Sequence, residues 1–231
     1  MGNRKFRLEL STLVGCAVTA FVGVNAANAG VIQSPTAVIE NTIGDALGFE
    51  IVHAIDQSGL SLAFVSGVTN FDTYLGGNPT HSEPLSSDAW FSPFGPVTGF
   101  IDFDFGSSLI ISRLALWNED NAGVSSMRIF TSNDSSFGSS TLVGTFSPAN
   151  SPGSPVSAQV FDLIDTTAQY VRLEILASHW NDSPDLVGID EIAFDVSTTT
   201  QSGVPEPSSV MLIGTGVAAL VTMSRLKRAK R

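Results

Sequence analysis

Lysine is missing between Gly30 and Gly203, and that stretch sets 20 acidic residues against only Arg113, Arg128 and Arg172. So anionic a surface repels nucleic-acid phosphates and anionic lipid. Nucleic acid is therefore excluded as a partner, and the charge fits an extracellular protein that meets neutral glycans or divalent cations. Cysteine is missing there too, because Cys16 is the single one in 231 residues. The body has neither a disulfide nor a thiol nucleophile, although it reaches a compartment that permits disulfides. His53, His81 and His179 are spread too widely for a zinc cluster, and none stands near a Gly-x-Ser-x-Gly elbow. Helical periodicity is the last absence: no window of the body sustains an apolar period of 3.6 across three turns.

The two ends are different in kind. Arg4, Lys5 and Arg7 precede an apolar stretch from Leu10 to Val24 and an Ala27-Asn28-Ala29 site, the pattern of a cleavable export signal over residues 1–29. Leu13-Val14-Gly15-Cys16 offers a rival reading as a lipoprotein box, with Cys16 lipidated. At the other end, Val-Pro-Glu-Pro is followed by an uncharged run from Ser208 to Ser224, then by Arg225, Lys227, Arg228, Lys230 and Arg231. As a helix that run measures roughly 26 Å, at the short limit for crossing a bilayer. The cations hold its tip in the cytoplasm, which puts the body outside.

The order and spacing of these C-terminal pieces resemble the PEP-CTERM sorting tail of Gram-negative bacteria, with Pro205, Glu206 and Pro207 as the motif. The resemblance implies passage through the secretion machinery, an inner-membrane intermediate, and recognition and cleavage by an exosortase. The destination it implies is the cell surface or an exopolysaccharide matrix.

Between the ends, residues 30–196 read as strands throughout, and 197–203 (STTTQSG) as a polar linker. In Phe100–Phe105, Ile101, Phe103 and Phe105 share one face while Asp102 and Asp104 are expected in water. In Ile189–Val196, Ile192, Phe194 and Val196 point inward, with Glu191, Ala193 and Asp195 outward. Ile110–Trp117 is apolar enough to be buried on both faces. With Phe49–Ile55, Leu60–Val65, Met127–Thr131, Thr141–Phe146, Gln159–Leu163 and Tyr170–Leu176, the expectation is eight or nine strands in one antiparallel, all-β sandwich.

The order of the strand motifs, Trp90, then IDFDFG at 101–106, ISRLALWN at 111–118, IFTSND at 129–134, YVRL at 170–173 and GIDEI at 188–192, resembles a discoidin-type, galactose-binding-like domain. That resemblance implies a jelly-roll β-sandwich whose loops at one end bind glycans, often with a structural calcium nearby. The positions that correspond to a calcium site are Asn70, Asp72 and Glu191. For a sugar, an aromatic face beside hydrogen-bonding groups is the useful chemistry. His179, Trp180, Asn181 and Asp182 stand together in a loop, with Tyr74 and His81 as second candidates, while Trp90 and Trp117 belong to the core. The expected function is a non-catalytic surface protein that binds cell-surface polysaccharide. A structural protein without a ligand site is one alternative. A glycan-active hydrolase is another, with Asp102 and Asp104 about 7 Å apart on one face.

Overall fold

The computed structural model describes residues 30–197 apart from 83–86, 152, 154 and 184. The expected signal, most of the linker, the membrane run and the sorting motif lie outside the described residues.

Ten strands, one short helix and one 3-10 turn follow in the order β1 (Val31–Gln33), β2 (Ala37–Asn41), the turn (Ile51–Ala54), α1 (Phe71–Gly76), β3 (Thr80–His81), β4 (Trp90–Phe91), β5 (Gly99–Asn118), β6 (Val124–Ser132), β7 (Thr141–Phe146), β8 (Val156–Ser157), β9 (Gln159–Ser178) and β10 (Gly188–Ser197). Every strand pair is antiparallel. The main path runs β1-β10-β5-β9-β6-β7, with β2 also on β5 and β4 also on β10.

β5 and β9 make this path a sandwich. Each has 20 residues, and they pair along most of their length. The first part of β5 meets β2 and the last part of β9, which continues into β6 and β7. The second part of β5 meets β10 and the first part of β9. The ribbon changes layer where the register slips between Asp104 and Leu109. Gly106 sits there at φ +73, and its N–H donates to Asp104 Oδ1 at 2.7 Å. A left-handed φ is open to glycine without steric cost. The expected pairs of separate strands, 100–105 with 110–117 and 159–163 with 170–176, are thus single bent strands.

Between the layers lies the main core, built by Ile101, Phe103 and Phe105 of β5, Met127 and Ile129 of β6, Val171, Leu173 and Ile175 of β9, and Ile192, Phe194 and Val196 of β10. Alternation therefore placed Ile101, Phe103, Phe105, Ile192, Phe194 and Val196 correctly. It misplaced their neighbours: Glu191 and Ala193 are fully buried and Asp195 is 5% exposed. A further cluster covers that outer face, in which Phe64, Phe71 and Tyr74 pack on Ala115, Trp117 and Ala193. Asp102 is also fully buried rather than solvated, because Arg172 lies across it with Nε–Oδ1 and Nη2–Oδ2 both at 2.7 Å. The guanidinium stacks on Phe100 at 3.6 Å and on Phe137 at 4.3 Å.

Two expected strands do not form. Ile51, Ala54 and Ile55 all point inward. Their spacing of three and four is a helical turn rather than an alternation, and 51–54 is the 3-10 turn. Residues 60–65 form a loop, since Gln57 at φ +65 and Gly59 at φ +74 turn the chain just before it.

Candidate functional site

The end of the sandwich where β10 begins carries most of the expected sugar-binding residues. Gly123 bridges Gly188, and Gly188 pairs with Phe91 of β4. A Cβ on Gly188 would lie 2.7 Å from the Phe91 ring, so only glycine lets the aromatic ring close on the strand. Ala89, Phe91, Ala122 and Leu186 form a small apolar cluster here, and Ala46, Phe49 and Trp180 pack against it. The Trp180 ring is half-buried, resting on the cluster while one part stays accessible. Together with Phe91, Leu186 and residues Glu119–Ala122 it lines a hollow of about 170 Å³. A second, wholly apolar hollow of about 110 Å³ adjoins it, lined by Phe49, Phe91, Phe94 and Leu186 among others.

The acidic side of the hollow is held from below. The Glu119 carboxylate is 1% exposed and accepts the Ala122 N–H at 3.1 Å, which closes the 119–122 loop. Asn118 clamps the same loop, accepting from Val124 N at 2.7 Å and donating to Val124 O at 3.0 Å. Under them Asp190 is 1% exposed, with neither carboxylate oxygen hydrogen-bonded. Burial pushes its carboxyl up to about 8, and Glu119 and Asp120 add to the shift.

The other expected residues take different places. His179 shapes the site without lining it: its N–H donates to Gly123 O at 2.8 Å, and its Nε2 donates to Pro148 O at 2.9 Å. Asn181 and Asp182 are exposed beside Trp180. Tyr74 is a core residue rather than a sugar contact. It is 4% exposed, its hydroxyl donates to Leu62 O at 2.6 Å, and it meets Trp117 and Phe64 edge-on. Burial raises the Tyr74 hydroxyl well above the usual phenol range, with Glu191 adding to the effect. His81 is likewise a correction: it is fully buried, its Nε2 donates to Ser58 O at 2.8 Å, and burial lowers its pKa. Its Nδ1 lies 3.8 Å from Asp190 Oδ2.

Asn70, Asp72 and Glu191 each have a different partner instead of a common one. Asn70 caps α1, accepting the Thr73 N–H at 2.8 Å, as an N-terminal Asn is suited to do. Asp72 pairs with Arg113 at 2.7 Å, which lowers its pKa, and Arg113 also holds Asp195. Glu191 Oε2 accepts the Gln57 N–H at 2.8 Å, while its buried Oε1 has no hydrogen-bond partner. Burial holds this carboxyl well above the usual range. Among the described residues, no three His, Cys, Asp or Glu side chains are grouped to hold a metal. The three residues do not fit one shared ion without giving up the helix cap and the Arg113 pair. The carboxylates of the hydrolase alternative are also engaged, Asp102 by Arg172 and Asp104 by Gly106 and Gln169.

Of the expected sugar contacts, Trp180, a tryptophan that stands out in a polar loop, lines the hollow; Phe91, Leu186 and Glu119–Asn121, which also line it, were not among them. Phe91 follows a core tryptophan and reads as strand, and Leu186 is one apolar residue in a loop.

This architecture is an antiparallel β-sandwich, a fold that solved structures share. It is similar to the crystal structure of the C-terminal domain of a chitobiase from Bacteroides fragilis, with TM-score 0.50 and 18% identity over 72% of this chain and 97% of that one. A CBM32 domain from Clostridium perfringens in complex with GalNAc-beta-1,3-galactose aligns with TM-score 0.44 and 12% identity, over 72% and 93% of the two chains. A chitosan-binding module derived from a chitosanase/glucanase of Paenibacillus sp. IK-5 aligns with TM-score 0.41 and 22% identity, over 72% and 94%. Comparison with curated proteins gives no match. Residues 203–228 match the PEP-CTERM protein-sorting motif, so the chain carries that motif at its C-terminus.

Proposed function

We propose that this is an exported, non-catalytic surface protein whose β-sandwich binds carbohydrate in the hollow beside Trp180. The observation that carries the reading is the half-buried Trp180 ring, fixed on Phe91 and Leu186 next to the backbone and side chains of 119–122. A fixed aromatic face takes the C–H surface of a sugar ring, and neighbouring amides and carboxylates take its hydroxyls. The sandwich shared with the C-terminal domain of a chitobiase supports the reading at the level of fold. The PEP-CTERM motif supports delivery to the surface. On this proposal an exosortase cleaves at Pro205-Glu206-Pro207 after an inner-membrane intermediate, and the released protein joins the exopolysaccharide matrix.

A glycan array tests the binding. The protein is expected to retain a defined set of neutral glycans, and Trp180→Ala, assayed below its melting temperature, is expected to lose them. Absence of binding by the unmutated protein overturns the reading in favour of a structural surface protein. Intact mass of surface-extracted protein tests the processing, and a mass that still includes Arg231 overturns it. Calcium is left out of the proposal, because Asn70 and Asp72 are engaged elsewhere and Glu191 alone offers one buried oxygen where calcium takes six to eight. A ligand bound only by the folded state stabilises it, so chelation is expected to leave the melting temperature unchanged, and a lowered value brings calcium back.

A further inference from the structure

A larger cleft lies at the other end of the sandwich. It encloses about 380 Å³ and is lined by Thr131, Ser139, Thr141, Thr166 and Thr167 together with the turn at Asn133–Asp134. Such a volume falls within the range of small-molecule clefts, about 300–1,000 Å³. Register fixes its distance from Trp180. Val124 pairs with Ser178, beside Trp180, whereas Ser132 pairs with Tyr170, beside the cleft. The eight residue steps of β6 between them span about 26 Å.

The walls of the cleft are tied by strand pairing and side-chain hydrogen bonds. Thr131 and Thr141 pair directly across β6 and β7. Asn133 ties the opposite wall, donating to Thr167 O at 3.0 Å and accepting from Ser108 Oγ at 3.0 Å and from Gln169 N at 3.1 Å. Thr131, at the floor, is 2% exposed, and its hydroxyl has no hydrogen-bond partner.

The lining selects the chemistry of a ligand. No Lys or Arg lines the cleft, so phosphates, sulfates and uronates find no counter-charge. The Asp134 carboxylate is turned onto Ser136, accepting its N–H at 3.0 Å and its Oγ–H at 2.7 Å, and a single engaged carboxylate does not make a cation site. No aromatic ring lines it, which removes the partner for a flat apolar ligand. What remains is a set of hydroxyls, each both donor and acceptor, beside threonine methyls. Sugar rings present the same alternation of O–H and C–H.

We propose that this threonine-lined cleft is a second binding site for a neutral sugar, independent of Trp180. With the Trp180 reading, on which this step rests, the domain has two sites at opposite ends and bridges two polysaccharide strands.

Threonine-methyl and indole NMR signals of the full chain test it, with galactose, glucose, N-acetylglucosamine and glucuronic acid as probes at millimolar concentration. At least one neutral sugar is expected to shift the methyls of Thr141 and Thr166, glucuronate is not, and the shifts are expected to persist in Trp180→Ala. Thr141→Val, which removes an accessible lining hydroxyl, is expected to weaken the Thr166 response roughly tenfold, as loss of one hydrogen bond does, while leaving the melting temperature unchanged or raised. Thr141→Trp, at an exposed position, is expected to fill the cleft and abolish the response. Methyls that no neutral sugar moves, shifts that vanish in Trp180→Ala, or full affinity in Thr141→Val each overturn the proposal. An indole signal of Trp180 that no sugar moves while the methyls respond refutes the Trp180 site and leaves the threonine cleft standing.

Discussion

Asp190→Asn in chelated buffer is the substitution with the largest consequence for stability. Asp190 is the extra residue where β10 bulges against β5, between Ile189 and Glu191. It lies under the Glu119–Asp120 loop with both carboxylate oxygens unpartnered. Its carboxyl titrates at about 8 in the folded protein against an ordinary 3.8. The folded state therefore holds the proton more tightly than the unfolded state. The stability is fully present below about pH 4 and is lost as pH rises through about 8. A gap of about four units, at about 1.4 kcal/mol each, corresponds to about 6 kcal/mol. That is comparable with the whole stability of many domains. Asn keeps the shape and a neutral polar group but cannot ionise. The melting temperatures of the two proteins should be close at about pH 4, and the variant should lead by roughly 10–20 °C at about pH 8.5. Neighbouring His81, whose lowered pKa costs stability as pH falls, lies 3.8 Å from Asp190. The Asp190 charge itself helps to raise Glu191, so the same comparison in a Glu191→Gln background separates the Asp190 contribution from its effect on Glu191. A difference that stays constant across this range refutes the reasoning.

Other substitutions probe the layers around the site. Arg172→Met leaves the fully buried Asp102 without its bidentate partner and removes the stack on Phe100 and Phe137; urea unfolding should show a loss of about 3–5 kcal/mol, partly restored by the double variant Asp102→Asn. Tyr74→Phe deletes only the hydrogen bond to Leu62 O and should cost about 1 kcal/mol with no change on a glycan array, separating this core residue from the sugar-binding face. Gly59→Ala puts a Cβ 2.5 Å from His81 Nε2 at φ +74 and should cost about 1–3 kcal/mol in thermal unfolding.

Much of the fold was legible because one face of each strand obeys a simple rule. Ile101, Phe103, Phe105, Ile192, Phe194 and Val196 alternate, and all six are in the main core. The opposite face broke the rule for a reason alternation does not contain. Polar residues at Glu191, Asp195 and Asp102 suggest water, yet a second apolar cluster or an arginine covers each of them. That cover comes from the long 56–82 stretch, whose apolar residues are irregularly spaced, and from Arg113 and Arg172, 82 positions from Asp195 and 70 from Asp102. Tyr74 and His81 were drawn into the expected site by the same misreading, since a loop rich in Gly, Asn and Ser hides the short α1 that carries Tyr74 inward. Trp180 was legible from its setting, while Phe91 and Glu119 become site residues only through the pairing of Gly188 with Phe91 and the closure of the 119–122 loop.

Strand direction ties the two ends of the domain to the sorting motif. β10 starts at Gly188 beside Phe91 and the Trp180 hollow, and ends at Ser197 opposite Ile110. Ile110 in turn pairs with Thr167 of the threonine cleft. The chain that continues to Pro205-Glu206-Pro207 therefore leaves from the cleft end, about 30 Å of strand away from Trp180. A membrane-held intermediate of the proposed processing has the threonine cleft at the end of the domain where Ser197 lies and the Trp180 hollow at the opposite end. On the proposed processing, cleavage at the motif frees the second end. The proposed release thus turns a domain with one of its proposed sites free into one with both free, which is the arrangement a matrix cross-linker requires and a permanently anchored protein does not.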